Sequence, residues 1–430
     1  MYRKIENLLY DWKEQENAKP LLIKGARQVG KSYEIRKFGQ SQYPNYVEIN
    51  LESNLYMKNV FEQTMEVKEI LMLYKVKYPE PVINKEDTLI FLDEIQACPN
   101  ALTCLKFFSI EGYRVIASGS LLGIALTHTS SFPVGYVQVE ELCPMDFEEF
   151  LYANGVEKSI VELLNRNFQE GSAVLEPLHQ QMNTYFKQYI ICGGMPEAVK
   201  TFVKTKDFQK VKIVQKQIIE GYYADLAKYG DHLEKLRAHE CFSSIPAQLA
   251  KDNKKFQYKV VRQGATGRMY GTSLKWLEDS GIIRLLYRLD NLELPLEAHR
   301  SVSSFKVYMN DTGLLMAMFE EDLAYRIIQN ELLIFKGAIF ENVVHQCLYS
   351  KHRQLYYYEY RGNYEIDFVM IHNNAVLPIE VKSSTNTRAK SLRTVVERYQ
   401  LPLAYKLSLN NVNTQESTTK CYPLYMLMFM

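Results

Sequence analysis

The sequence predicts an α/β protein whose first part is built on a parallel sheet, and three patterns carry that expectation. Between Pro20 and Leu142, short apolar runs at 21–23, 46–49, 89–92, 115–117 and 136–139 alternate with helical or looped segments, the rhythm of a mostly parallel sheet with helices on its faces. From Asp146 to about Tyr229 the chain turns helical, rich in Glu, Gln, Lys and Leu. A helical segment at 337–349, followed by strand-like runs at 355–360, 364–371 and 375–381, has the order of a small α/β unit.

Residues 1–16 place Ile5, Leu8, Leu9 and Trp12 at helical spacing among charges, which predicts an amphipathic helix rather than the continuous apolar core of a signal peptide. Cys192-Gly193-Gly194-Met195-Pro196 must interrupt the long helical stretch, because Gly and Pro break helices. Further on, helical runs at 241–251 and 272–279 precede alternating runs at 282–289 and 304–308. Helices followed by a two-stranded ribbon are the outline of a winged helix-turn-helix. The apolar tail at 424–430 reads as a buried strand, and no apolar run is long enough to span a bilayer, so no membrane partner is expected.

A chain of 430 residues has room for roughly three domains, and 47% hydrophobic with 23% charged residues is the balance of a folded chain, not a disordered one. The 51 basic residues nearly cancel the 50 acidic ones, so no overall field draws the molecule onto nucleic acid, and any such contact must come from local patches. The seven cysteines are scattered and include no C-x-x-C pair, which argues against a disulfide framework or structural zinc and predicts reduced thiols in a cytoplasmic protein.

The strongest chemical signal is Gly25-Ala26-Arg27-Gln28-Val29-Gly30-Lys31-Ser32, which fits the Walker A pattern G-x-x-x-x-G-K-[ST] and lies between an apolar strand and a helical segment. Glycines at both ends let the backbone curl so that successive N–H groups face a phosphate at a helix N-terminus. Lys31 is expected to reach the β- and γ-phosphates and the Ser32 hydroxyl to ligate Mg²⁺. The apolar run 88–92 ends in Asp93 and Glu94, the form of a Walker B. Alone, two acids there would read as an ordinary strand end. With the loop upstream, Asp93 becomes the Mg²⁺-side carboxylate and Glu94 the residue that orients or deprotonates water. A later strand ends in Ser118-Gly119-Ser120, where Ser120 could sense the γ-phosphate or simply form a tight turn. Asn84-Lys85-Glu86-Asp87 matches the guanine-reading N-K-x-D, but it precedes the Walker B and no D-x-x-G is present, so ATP is the expected nucleotide. Arg27 and Arg114 are cations near this site in sequence, and neither is assigned a role.

A second constellation is Glu365-Ile366-Asp367 followed by Glu380-Val381-Lys382. Residues two apart share a strand face, so a hairpin through 372–375 would bring these acids and Lys382 together, with Glu341 of the preceding helix as a further acid. Such a cluster suits Mg²⁺ and phosphodiester cleavage, yet the same spacing also fits acid–lysine pairs decorating a solvated sheet face. Lys251, Lys254, Lys255, Lys259, Arg262 and Arg268, with Tyr258 and Tyr270 among them, read either as a DNA-facing stretch or as a charged loop.

These residues, with Leu92-Asp93-Glu94-Ile95-Gln96, Pro99, 144–150, Gly193-Gly194-Met195-Pro196 and Asp311-Thr312-Gly313-Leu314-Leu315, resemble prokaryotic AAA-type P-loop ATPases that carry a C-terminal domain of unknown function related to restriction endonucleases. The resemblance implies four parts: a P-loop ATPase core at 1–150, a helical lid at 151–235, a winged helix at 236–310 and a PD-(D/E)xK nuclease-like domain at 311–430. It matches Glu341, Asp367, Glu380 and Lys382 to the nuclease positions. Where relatives commonly have Gly-Arg, this chain has Gly135-Tyr136; if that arginine serves γ-phosphate sensing or subunit communication, hydrolysis here is expected to be slow or to need another cation. The expectation is an ATP- and Mg²⁺-using ATPase that engages DNA. Alternatives are an ATP-regulated Mg²⁺-dependent nuclease and an ATP-gated regulator that binds DNA or protein. An oligomer is compatible with the sequence.

Overall fold

The computed structural model describes residues 1–80, 82–120, 133–227, 231–251, 254–319, 323–329, 336–360, 364–382, 390–414 and 418–430. Chain contacts divide it into two units. One comprises Tyr2–Cys143 with Lys275–Ile282; the other comprises Pro144–Leu274 with Ile283–Met430, together with Met1.

In the first unit, helix α1 (Ile5–Lys13) buries Ile5, Leu9 and Trp12, three of the four apolar residues its spacing singles out. There follow β1 (Leu21–Lys24), α2 (Lys31–Gln42), β2 (Asn45–Asn50), α3 (Leu55–Gln63), α4 (Val67–Lys77), β3 (Thr88–Asp93), α5 (Pro99–Glu111), β4 (Arg114–Gly119) and β5 (Gln138–Glu141). The strands form one sheet in the order β2-β3-β4-β1-β5, with every pairing parallel. All six residues of β3 are buried, as a central parallel strand covered on both faces requires. Leu92, Val47, Ile49, Phe61, Leu105 and Phe108 share one apolar core. The run expected at 136–139 pairs only from Gln138 onward, which leaves Tyr136 before the strand. Asn84 and Asp87 serve locally: Asn84 Oδ1 accepts the Asp87 N–H at 2.7 Å, and the Asn84 N–H donates to Thr88 Oγ1 at 3.0 Å, closing the turn into β3.

The second unit opens with α6 (Phe147–Ala153), whose N-terminus carries a reciprocal capping box between Asp146 and Glu149. Helices α7 (Lys158–Glu170), α8 (Glu176–Cys192), α9 (Pro196–Thr205), α10 (Phe208–Leu226), α11 (His232–Leu249), α12 (Tyr258–Val261) and α13 (Gly267–Asp279) follow; the division between units falls within α13. Then come β6 (Ile283–Leu289), β7 (Arg300–Met309), α14 (Thr312–Met318), α15 (Leu323–Ile328), α16 (Lys336–Tyr349), β8 (Tyr356–Tyr360), β9 (Tyr364–His372), β10 (Ala375–Val381), α17 (Lys390–Tyr399), β11 (Ala404–Ser408) and β12 (Thr419–Pro423). The seven strands form a mixed sheet, β12-β11-β10-β9-β8-β6-β7. The ribbon β6–β7 is antiparallel, as expected of a wing, but β6 also pairs with β8, so one sheet runs across residue 310. The hairpin β9–β10 turns at Asn373 and Asn374, both in the left-handed region that Asn tolerates.

The apolar tail corrects one expectation. Residues Leu424–Phe429 form a 3₁₀ helix, not a strand, with Leu424, Tyr425, Met426 and Leu427 buried. They pack against α7, α8 and α16, and Tyr425 Oη meets His179 Nδ1 at 2.9 Å. A short apolar run does not by itself distinguish a strand from another buried segment, and here helices rather than strands cover it.

The break between α8 and α9 is fixed by Asp311, which is fully buried and caps α14. Its Oδ1 accepts the Leu314 N–H at 2.9 Å, and its Oδ2 accepts the Gly194 N–H at 2.6 Å and Gln346 Nε2 at 3.3 Å. Gly193 has φ +68°, and a Cβ there would lie 2.1 Å from Asp311 Oδ1. Asp311→Ala strands two buried N–H groups and should cost about 2–5 kcal/mol. Gly193→Ala should cost a similar amount through overlap with Asp311 and through its left-handed backbone. Both effects are read as lowered urea midpoints; an unchanged midpoint in Asp311→Ala would show that the carboxylate is dispensable.

Candidate functional site

The loop between β1 and α2 alternates backbone hands: Gly25, Gln28 and Gly30 have φ of +150°, +67° and +99°. That alternation curls successive N–H groups toward a common centre at the start of α2 and makes an anion-binding nest. Gly25 is also sterically required, since a Cβ there would lie 2.3 Å from the Leu142 carbonyl oxygen. Ala26 and Val29 are buried. Lys31 is buried too, and its Nζ donates to the Gly25 and Ala26 carbonyls, both at 2.9 Å. Burial pushes its pKa down to about 8, against the opposing pull of Glu94 and Asp93. A drop from 10.5 corresponds to roughly 3 kcal/mol of penalty on the charged ammonium, which a neighbouring phosphate would offset.

Asp93, the last residue of β3, is where neighbouring elements meet. Its Oδ1 accepts the Ser32 hydroxyl at 2.9 Å and the Ser118 hydroxyl at 2.5 Å, and its Oδ2 accepts Asn50 Nδ2 at 3.2 Å. The expected Mg²⁺ pair, Ser32 and Asp93, is therefore in contact. Glu94 follows in a left-handed conformation, φ +51°, with its Oε2 accepting Gln96 Nε2 at 2.5 Å. The hydroxyl that reaches Asp93 from β4 is Ser118; Ser120 is buried just beyond the strand. The hydroxyl–carboxylate pair and the curled, lysine-bearing loop fit Mg²⁺ with a nucleoside triphosphate.

Motif reading missed two participants. Asn50 lies at the carboxyl end of β2, in register with Asp93. Arg3 is buried, with Nη1 donating to the Val29 carbonyl at 2.9 Å and Nη2 to the Cys143 carbonyl at 2.8 Å, so it ties the loop to the segment after β5. An arginine flanking an amphipathic helix gives no motif signal. Arg114 begins β4, at the edge opposite Asp93, and donates to the Gln15 carbonyl at 2.6 Å, away from the phosphate loop. Arg27 belongs to the loop itself and opposes the Lys31 charge. At Tyr136 the nearby cation is Lys106 of α5, 5.1 Å from the ring centre.

The C-terminal residues also converge. Glu341 of α16 is buried: its Oε1 pairs with Lys254 Nζ, and its Oε2 accepts the Tyr308 hydroxyl at 2.8 Å and Lys306 Nζ at 3.4 Å. Lys306 also reaches Glu365 Oε1 at 2.5 Å. Asp367 Oδ2 accepts the Val381 N–H at 2.7 Å, and Lys382 Nζ pairs with Glu380 Oε1. Burial, then the charges of Glu341 and Glu380, push the Asp367 pKa well up, and burial raises that of Glu380. Burial would raise Glu341 as well, but Lys306 and Lys254 draw it down to about 2. The residues missed in the sequence are Lys306 and Tyr308. Lys254, read there as part of a basic stretch, turns onto Glu341, and Tyr270 is buried with its hydroxyl on Glu240. Lys251, Lys259, Arg262 and Arg268 stay exposed.

The five-stranded parallel sheet and its phosphate loop define a P-loop nucleotide-binding domain. Residues 17–151 match the family model described as an AAA domain, which makes this part of the chain an AAA-type P-loop domain. Residues 183–324 and 336–427 match two models described only as domains of unknown function, DUF8612 and DUF4143. No curated protein matches the chain. Among solved structures it is similar to a Walker-type ATPase of Pyrococcus abyssi, at 15% identity over 74% of this chain and 95% of that one, TM-score 0.40. It is similar to the Aeropyrum pernix Orc1 protein in complex with DNA, at 11% over 76% and 92%, TM-score 0.27. A third likeness is to the Thermotoga maritima RuvB Holliday junction branch migration motor, at 14% over 65% and 87%, TM-score 0.29. These are loose likenesses, and no activity is carried over from them.

Because Lys31 holds its proton only below about pH 8, ATP affinity should fall as pH rises through that value. The loss should reach roughly tenfold by pH 9, following the protonated fraction of the free site. Calorimetric titration from pH 7 to 9 checks this, and in Lys31→Arg, whose guanidinium stays charged throughout that range, any binding that remains should show no such decline.

Proposed function

We propose that the chain is a Mg²⁺-dependent ATPase that couples ATP hydrolysis to rearrangement among its domains while engaged with DNA. The contact between the Ser32 hydroxyl and Asp93, one residue before Glu94, is the observation that carries this reading. Ser32 and Asp93 would hold Mg²⁺, which would offset the negative charge of the phosphates. The N–H groups of 25–32 and the start of α2 bind the phosphates, and Lys31 exchanges its two backbone carbonyls for phosphate oxygens. Glu94, held on one oxygen by Gln96, orients the attacking water and takes its proton. Asn50 and Ser118 keep Asp93 aimed at the phosphate loop.

The DNA part of the reading draws on α11, α12 and α13 followed by the β6–β7 ribbon, the element order of a winged helix-turn-helix, with Lys251, Lys259, Arg262 and Arg268 exposed along it. We further propose a helical lid over 151–235, a winged helix over 236–310 and a PD-(D/E)xK-like fold over 311–430, the last supported by the grouping of Glu341, Asp367, Glu380 and Lys382. A cytoplasmic location follows from the same reading.

Phosphate release should fall by about 10²-fold or more in Glu94→Gln, with ATP binding retained, whereas Lys31→Ala should lose both. Turnover equal to wild type in both variants would sink the ATPase reading. For DNA, log affinity should fall linearly with log salt, and Lys259→Ala with Arg268→Ala should flatten the slope by about 2. An affinity indifferent to salt would exclude a phosphate-dominated complex.

A further inference from the structure

We propose that the C-terminal carboxylate cluster is not a divalent-metal site: Lys254 and Lys306 stand where a metal would have to sit, and a cation site appears only when Lys254 is removed. The proposal does not rest on the ATPase reading. It departs from the nuclease expectation on the residues themselves.

A divalent metal of the Mg²⁺ type needs carboxylate oxygens free to approach to about 2.1 Å, in near-octahedral geometry with several waters. Most of the oxygens here are committed. Both oxygens of Glu341 are occupied, one by Lys254 and the other by Tyr308 and Lys306. Lys306 bridges Glu341 to Glu365, the position from which a bound cation would join a helix carboxylate to a strand carboxylate. Asp367 is turned toward the backbone of β10 by its bond to the Val381 N–H, and Glu380 is paired with Lys382. Among the described residues, no group of three His, Cys, Asp or Glu side chains is arranged to hold a metal ion.

Electrostatics points the same way. Lys306 is 1% exposed, and a lysine so buried persists only when paired. Three ammoniums face four carboxylates, so the cluster meets most of its own charge, and a divalent ion would enter against three cations of the same sign. The pairs also have a mechanical consequence. Lys254 precedes α12, Lys306 lies on β7, Glu341 on α16, and the remaining acids on β9 and β10. The network thus latches the helix-and-ribbon segment to the hairpin, using side chains that a nuclease would spend on metal. Lys254 is the removable member: its side chain is 18% exposed and bonded to one carboxylate, whereas Lys306 is sealed between two. Glu380 Oε2, buried without a hydrogen-bond partner, is the acceptor left for an incoming cation.

The test titrates Mn²⁺ into nucleotide-free full-length protein carrying Asp93→Asn, which silences the phosphate-loop site, and follows the free Mn²⁺ resonance. With all three lysines present, no binding is expected up to about 1 mM. Adding Lys254→Met should create one Mn²⁺ site, tightened about tenfold or more, which a further Asp367→Asn abolishes. Lys254→Gln, which keeps a hydrogen-bond donor but no charge, should behave likewise and guards against misfolding of the methionine variant; circular dichroism confirms that each is folded. Two results overturn the proposal: Mn²⁺ bound in the lysine-intact protein and lost in Asp367→Asn, or folded Lys254 variants that gain no Mn²⁺.

Discussion

The Asp93 carboxylate is the point on which the first unit's chemistry depends. β3 delivers it, β2 supplies Asn50, β4 supplies Ser118 and α2 supplies Ser32. Each arrives at the carboxyl edge because the strands are parallel and in register, Asn50 opposite Asp93 and Ala117 opposite Leu92. A slip of one residue in either strand would turn its side chain to the other face and uncouple it from the phosphate loop. The buried run 88–92 does more than fill the core: it fixes the height at which the acid emerges.

Asp311 plays the corresponding part in the second unit, where it is structural. Its carboxylate gathers the break between α8 and α9, the N-terminus of α14 and Gln346 of α16, while Gly193 admits that carboxylate, and Gly194 and Gly313 neighbouring backbone, too closely for any Cβ. Gln346 extends the knot, accepting from both the N–H and the hydroxyl of Thr312 and donating to the Tyr189 hydroxyl. Burial pushes the Asp311 pKa up to about 6 against these bonds, so ionising it withholds part of their stabilisation. With the folded pKa above the unfolded one, the native state holds the extra proton between about 4 and 6, and this group's contribution declines as pH rises through that window. The two glycine-bearing motifs that carry the family resemblance meet here as a packing constraint.

Much of this was legible from the residues. Short apolar runs alternating with helical segments located the parallel strands, Gly and Pro located the helix break at 193–196, acids two apart on a strand face placed the β9–β10 hairpin, and the Walker residues announced their own contacts. What stayed hidden has a common cause: partners far apart in sequence. Arg3 reaches Val29 and Cys143 only after the sheet closes, and Lys306 meets Glu341 and Glu365 only once β7 and β9 join one sheet. Lys254 looked like surface charge because linear spacing does not tell a lysine facing solvent from one turned onto a buried acid. The tail at 424–429 was ambiguous for a related reason: apolar composition predicts burial, not the backbone geometry that achieves it.

Two buried lysines now distinguish the two sites. Lys31 rests on peptide carbonyls, which are dipoles rather than charges, and burial wins, lowering its pKa to about 8. Lys306 is equally enclosed, and burial again opposes its charge, but Glu341, Tyr308 and Glu365 overcome that penalty and hold its pKa well above the usual value. The first ammonium is therefore electrostatically unfinished and gains from an anion brought by a ligand, as a nucleotide site requires. The second is already neutralised by its own chain and gains nothing from one. Within one sequence, the same residue type builds a receptor where its partners are carbonyls and a latch where they are carboxylates, and that difference in partner sets the chemistry of each site.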